Sequence, residues 1–148
     1  MSHLPYYFYI IYHFMYKMKI PFIPTLLVII NRLIFGLHLP ASAEVGSGTR
    51  FSYGGCAVVV HARAVIGKNC IIGPAVTIGG RSKKNNVPVI GDNVYIGGGA
   101  KILGDITVGS GSIIGANSVV ISDVPEKSMY LGIPAKLKKE NIKINDYI

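Results

Sequence analysis

Ile90-Gly91-Asp92-Asn93-Val94-Tyr95, Ile96-Gly97-Gly98-Gly99-Ala100-Lys101, Ile102-Leu103-Gly104-Asp105-Ile106-Thr107, Val108-Gly109-Ser110-Gly111-Ser112-Ile113 and Ile114-Gly115-Ala116-Asn117-Ser118-Val119 are five consecutive six-residue phrases in one register. Each opens on a large aliphatic residue, glycine usually follows, and the fifth position is small or aliphatic. The same anchors continue backward through Ile78, Ile72, Ile66 and Val60, then through Phe51, Val45 and Leu39, and forward to Val120. A period of six fits neither the 3.6 of a helix nor the alternation of a hairpin sheet. It suits short strands joined by tight turns, with one aliphatic side chain per strand pointing inward and a small one filling the corner. Stacked coils then bury a column that no single repeat buries alone. Glycine beside the anchor suits a turn that needs positive φ or close backbone approach. The expected fold class is mainly β, a parallel solenoid of hexapeptide repeats.

Around this solenoid, expected over residues 39–125, lie two different segments. Residues 1–38 hold five of the nine tyrosines by position 16 and a second apolar run from Ile20 to Ile30. Lys17, Lys19, Asn31 and Arg32 interrupt these runs, and Pro21 and Pro24 separate them. The pattern predicts two short helices, about Pro5 to Met18 and Pro24 to Phe35, stopped by Gly36. A secretory signal ending at Ala41-Ser42-Ala43 is disfavoured, because no basic segment opens the chain and Leu39 to Glu44 already obeys the repeat. The expected role of the helices is packing on the solenoid or a neighbouring subunit. The alternative is peripheral contact of residues 4–35 with a membrane surface. After Pro125 the pattern ends, and residues 126–148 read as a last strand and turn, then a basic tail that is helical at its start.

The repeat is interrupted twice. Phe51 to Val60 takes nine residues instead of six, which predicts a bulge at Tyr53-Gly54-Gly55-Cys56. Gly80 to Val89 contains Arg81, Ser82, Lys83, Lys84, Asn85, Asn86 and Pro88, which predicts an exposed basic excursion over residues 81–88 with none of these on a buried coil face. Interruptions of a solenoid are where function tends to be placed.

A net charge of +8 and a pI near 9.6 admit nucleic acid, an anionic membrane or a polyphosphate-bearing cofactor. No recognition motif supports nucleic acid. Cys56 and Cys70 have no metal-type spacing, so both read as reduced and structural, no metal is expected, and nothing argues for export from the cytoplasm. No carboxylate pair suits glycosidase chemistry, and Asp92 and Asp105 sit in turns that explain them by local hydrogen bonds. No nucleophile elbow is present. Of four histidines only His61 lies inside the repeats, and with Val60 facing inward it faces out. Eighteen residues on, one coil away, the same spot is Gly79, so a slot lies beside a side chain that titrates near neutrality and serves as a general base. Basic clusters after Gly80 and from Lys136 suit a long ligand with phosphates at one end, which describes coenzyme A.

From Leu39 to Lys136 the chain resembles the hexapeptide acyltransferases with a left-handed parallel β-helix, in their serine acetyltransferase-like branch. The similarity is carried by Val76-Thr77-Ile78-Gly79-Gly80, by Pro88 to Gly97, by Ala100 to Gly104 and by Gly132-Ile133-Pro134-Ala135-Lys136. It implies a homotrimer with acetyl-CoA between adjacent solenoids and a histidine base that deprotonates a hydroxyl acceptor. It also implies that Gly80, Gly98 and Ala116 meet the pantetheine arm and that Lys136 and Lys139 meet the phosphates. Serine acetyltransferases carry an Asp-His pair where this chain has Ser52-Tyr53, an Asp at His38 and a His at Val87. The Tyr53-Gly54-Gly55 to His61 variant resembles shorter members associated with surface polysaccharides, which implies a glycan-precursor sugar as acceptor, with Tyr53, Gly54 and Gly55 near it. The alternatives are L-serine O-acetylation in cysteine biosynthesis and a non-catalytic assembly module.

Overall fold

The computed structural model describes residues 3–147. Twelve short strands wind in coils of three: β1 (Glu44–Val45), β2 (Arg50–Phe51), β3 (Val59–Val60), β4 (Val65–Ile66), β5 (Ile71–Ile72), β6 (Thr77–Gly79), β7 (Val89–Ile90), β8 (Tyr95–Ile96), β9 (Lys101–Leu103), β10 (Thr107–Val108), β11 (Ile113–Ile114) and β12 (Val119–Val120). Like strands stack in parallel. The first face is β1-β4-β7-β10, the second holds β2-β5-β8-β11, and the third is β3-β6-β9-β12. The result is a left-handed parallel β-helix of about four turns.

The anchors form the core. Phe51, Ile72, Ile78, Ile96, Ile102, Val108 and Ile114 are fully buried, and so are the corner residues Ala43, Ala64, Cys70, Val76, Val94 and Ala100. Each large aliphatic side chain contributes about 1.5–3 kcal/mol by leaving water. Register makes the column continuous, since Val60 pairs with Ile78 and Ile78 with Ile102 on one face.

Where glycine follows an anchor it is required, except at Gly79, for one of the two reasons anticipated. Positive φ falls two residues later, at Asn69, Asn93 and Asn117 (φ 54–55°) and at Gly48, Gly99 and Gly111. Asparagine tolerates this region better than most residues. The anchor-adjacent glycine is needed because the coils touch there: a Cβ on Gly97 would lie 2.5 Å from the Ala116 amide nitrogen.

Two helices, α1 (Leu4–Lys17) and α2 (Ile23–Phe35), close one end of the solenoid, and Gly36 ends α2 in the left-handed conformation. Tyr9 and Tyr12 are buried and Tyr6 nearly so. Their hydroxyls donate to the carbonyls of Ala43 (2.7 Å), Leu39 (2.8 Å) and Gly46 (3.1 Å), all on the first coil. The Tyr9 hydroxyl also accepts the Val45 amide at 3.1 Å, and Asn31 donates to the Tyr12 hydroxyl at 3.1 Å. Backbone groups with no coil beneath them are thereby satisfied.

At the other end β13 (Met129–Gly132) adds to the second face in parallel, and β14 (Ala135–Lys139) pairs with it antiparallel. The basic tail therefore begins as a strand and not as the expected helix. Gly132 and Pro134 reverse the chain, and the open edge of β13 offers ladder hydrogen bonds to the segment that follows.

Candidate active site

His61 sits at the corner after the third face, directly past β3. Its backbone N–H donates to the Ile78 carbonyl at 2.8 Å, which fixes the strand end, and Val60 beside it is buried. The imidazole is therefore directed outward. It lines a hollow of about 330 Å³ with His38, Pro40, Val59, Ala62, Thr77 and Gly79. A Cβ on Gly79 would come no closer than 3.7 Å to any neighbour, at the Thr77 methyl. At the position expected one coil above His61, an added Cβ would make only ordinary van der Waals contact, with Thr77 and Leu103.

The His61 Nδ1 accepts a hydrogen bond from the Arg63 amide at 3.1 Å. In the neutral ring Nε2 then carries the proton. Taking an acceptor proton on Nε2 requires the other tautomer and release of this exposed bond, a cost of about 1 kcal/mol.

His38 is the group that the sequence reading missed. It stood out only as a replaced aspartate, yet it lines the same hollow. It bridges Val59 in parallel, so it occupies the third face one coil below β3. Its Nδ1 is buried with no hydrogen-bond partner among the described residues, and burial together with the nearby Arg32 charge lowers its pKa. The signal was Leu39: with an inward anchor there, His38 faces out as His61 does beside Val60.

The excursion is anchored over this corner. The Arg63 guanidinium donates to the Asn85 carbonyl at 2.7 Å, and Asn86 donates to the Asp105 carboxylate at 3.1 Å. Asp105 therefore holds the loop and is not explained by a local turn bond. Asp92 accepts the Lys68 amide of the coil below at 2.7 Å. Residues 81–86 are exposed, whereas Val87 and Pro88 are buried, which corrects the expectation for Pro88. Both lie directly before β7, where the excursion rejoins the coil.

The remaining residues lie elsewhere on the chain. Gly80 follows β6 at the His61 corner. Gly98 and Ala116 occupy successive coils of the corner after the second face, where the Gly98 carbonyl accepts the Asn117 amide at 2.9 Å. Tyr53, Gly54 and Gly55 form a tight turn with positive φ at that same corner. Tyr53 is 85% exposed and lines a separate apolar hollow with Leu4, Ile34, Phe35 and Gly54. Lys136 and Lys139 are exposed on β14, and the Lys139 ammonium lies 3.3 Å from the Tyr147 hydroxyl. Within one chain Gly98, Ala116 and Tyr53 to Gly55 stand at the opposite end of the third-face strands from His61 and Gly80. Both cysteines are free; Cys70 is buried and burial pushes its thiol up, whereas Cys56 is exposed. Among the described residues no cluster of three or more His, Cys, Asp or Glu side chains is placed to hold a metal.

Residues 88–122 match the family of bacterial transferase hexapeptide (six repeats). A serine acetyltransferase of Synechococcus elongatus is 37% identical over 73 residues, 49% of this chain and 30% of that relative. The soybean serine acetyltransferase complexed with serine superposes with a TM-score of 0.86 at 36% identity, over 91% of this chain and 56% of that one. The Brucella abortus enzyme in complex with coenzyme A gives 0.86 at 35% identity, over 90% of this chain and 54% of that one. The chain thus spans under a third of its curated relative and just over half of these solved chains. With the repeat, the coil and these likenesses in agreement, the chain carries the bacterial transferase hexapeptide repeat and is similar in sequence and fold to serine acetyltransferases.

Proposed function

We propose that the chain is an acetyl-CoA-dependent O-acetyltransferase in which His61 is the general base. The observation that carries this reading is the His61 imidazole lining one hollow with the side-chain-free Gly79, on a solenoid like that of serine acetyltransferases solved with serine and with coenzyme A. The acceptor hydroxyl gives its proton to the imidazole as its oxygen attacks the thioester carbonyl. An acyl C–O bond forms, the C–S bond breaks, and the leaving thiolate takes the proton back.

The separation of the site residues supports a homotrimer. Gly98, Ala116 and Tyr53 to Gly55 lie on one corner, and His61 and Gly80 on another. A ligand that touches both sets lies between the corners of two copies, with Lys136 and Lys139 available for its phosphates.

For the acceptor, the relatives favour L-serine over the glycan sugar expected from the Tyr53-Gly54-Gly55 variant. One observation keeps a sugar in the comparison: the hollow is lined by His38, Pro40, Val59, Ala62 and Thr77 beside His61, with no carboxylate or guanidinium to hold a zwitterion.

The test is free CoA release by wild type, His61→Ala and His38→Ala, with L-serine and a panel of sugars offered in parallel. General-base loss predicts a fall of about 10²–10⁴ for His61→Ala with CoA binding intact. An equal or larger fall in His38→Ala alone moves the base to His38. Absence of both CoA binding and turnover in the wild type returns the chain to the non-catalytic assembly reading.

A further inference from the structure

The helical cap carries more apolar surface than its packing on the solenoid uses. Tyr6, Tyr9 and Tyr12 of α1 face the first coil. On its other side Leu4, Tyr7, Ile11, Phe14 and Met18 recur at spacings of three and four, and are 50–63% exposed. Ile23, Leu26, Ile29 and Leu33 repeat the pattern on α2, and Phe22 between the helices is 87% exposed. A helix apolar on both sides needs cover on both. A patch this continuous marks an interaction surface.

Charge and length choose the occupant. Lys17, Lys19 and Arg32 are exposed around the patch, and no acidic residue precedes Glu44. A two-fold contact with a second copy would bring the same cations together with no nearby acid to offset them. Anionic lipid supplies the missing charge. Helices of 14 and 13 residues are too short to cross a bilayer, and among the described residues no helix is long and apolar enough to do so. They suit the boundary between headgroups and acyl chains. The apolar hollow of about 400 Å³ lined by Leu4, Ile34, Phe35, Tyr53 and Gly54 adjoins the patch through Leu4 and Ile34, and has room for the end of an acyl chain.

We propose that the outer face of the α1–α2 cap docks on an anionic lipid surface, with its apolar side chains among the acyl chains and Lys17, Lys19 and Arg32 at the phosphates. This stands independently of acetyl transfer. The experiment is co-sedimentation of the full chain with phosphatidylcholine vesicles, with and without phosphatidylglycerol. Sedimentation should depend on phosphatidylglycerol, weaken in high salt, and drop about tenfold in a Phe14→Asp, Leu33→Asp double variant. Both side chains are exposed, so circular dichroism should be unchanged. If that variant misfolds, Lys17→Ser, Lys19→Ser, Arg32→Ser should weaken binding to the anionic vesicles alone. No dependence on phosphatidylglycerol, or binding that neither variant alters, overturns the proposal. A wild type that ignores vesicles but loses mass in sedimentation equilibrium on the double substitution also overturns it, since a second copy then covers the face.

Discussion

Two corners of the same coil have been put to different uses. The corner after the first face is built alike five times, with Gly48, Asn69, Asn93, Gly111 and Lys127 all at positive φ and each coil seated on the one below. The corner after the third face has no such rule. His61 to Ala64 turn without positive φ, the next coil inserts residues 81–88, and the one after turns at Gly104. Repetition at the first corner holds the stack together. At the third, coils vary because the neighbouring strands already fix the backbone, and side chains such as His61, Arg63 and Asp105 are free to take other tasks.

The sharpest way to break this contrast is His61→Ala. It should reduce turnover about 10²–10⁴-fold while leaving the urea midpoint near that of the wild type, because His61 makes one exposed side-chain hydrogen bond. Gly79→Val should act in the same direction through shape, reducing turnover about 10–100-fold by filling the slot, again with little change in midpoint. Gly97→Ala should do the reverse: its Cβ meets backbone at 2.5 Å, so unfolding free energy falls by about 1–3 kcal/mol.

An effect of similar size concerns the cap, and a smaller one its pH dependence. Tyr12→Phe leaves the Leu39 carbonyl and Asn31 amide without their buried partner, at about 1–3 kcal/mol in urea unfolding. Burial raises the Tyr9 phenol to about 12 and raises Tyr12 as well. Unfolded tyrosine titrates near 10. The folded chain thus keeps protons that the unfolded chain releases, so this stability is complete below about pH 10 and declines as pH rises toward 12. Unfolding midpoints at pH 9 and 11 should differ less in Tyr12→Phe than in wild type.

Most of the solenoid was legible because a six-residue rhythm leaves few choices: Val60, Ile78 and Ile102 stack as their spacing requires. The His61 slot followed from the same arithmetic. What escaped was set by contacts across coils. Pro88 reads as loop chemistry yet is buried where the excursion rejoins the coil, and Asp105 reads as a turn residue until Asn86 arrives from the excursion. His38 belongs to the cleft only once the three-residue insertion before β3 is placed outside the stack. The strand at Ala135–Lys139 depended on an open edge that no local pattern announces.

The three tyrosine hydroxyls on the first coil also decide the direction in which copies can join. A parallel β-helix with a bare end is a template for the next one, and would grow along its axis as a fibre. Tyr6, Tyr9 and Tyr12 occupy carbonyls that such growth would use, and the helices behind them stand where another coil would lie. With that end closed, the proposed homotrimer would have to form sideways, through the faces and corners that carry the residues of the proposed site.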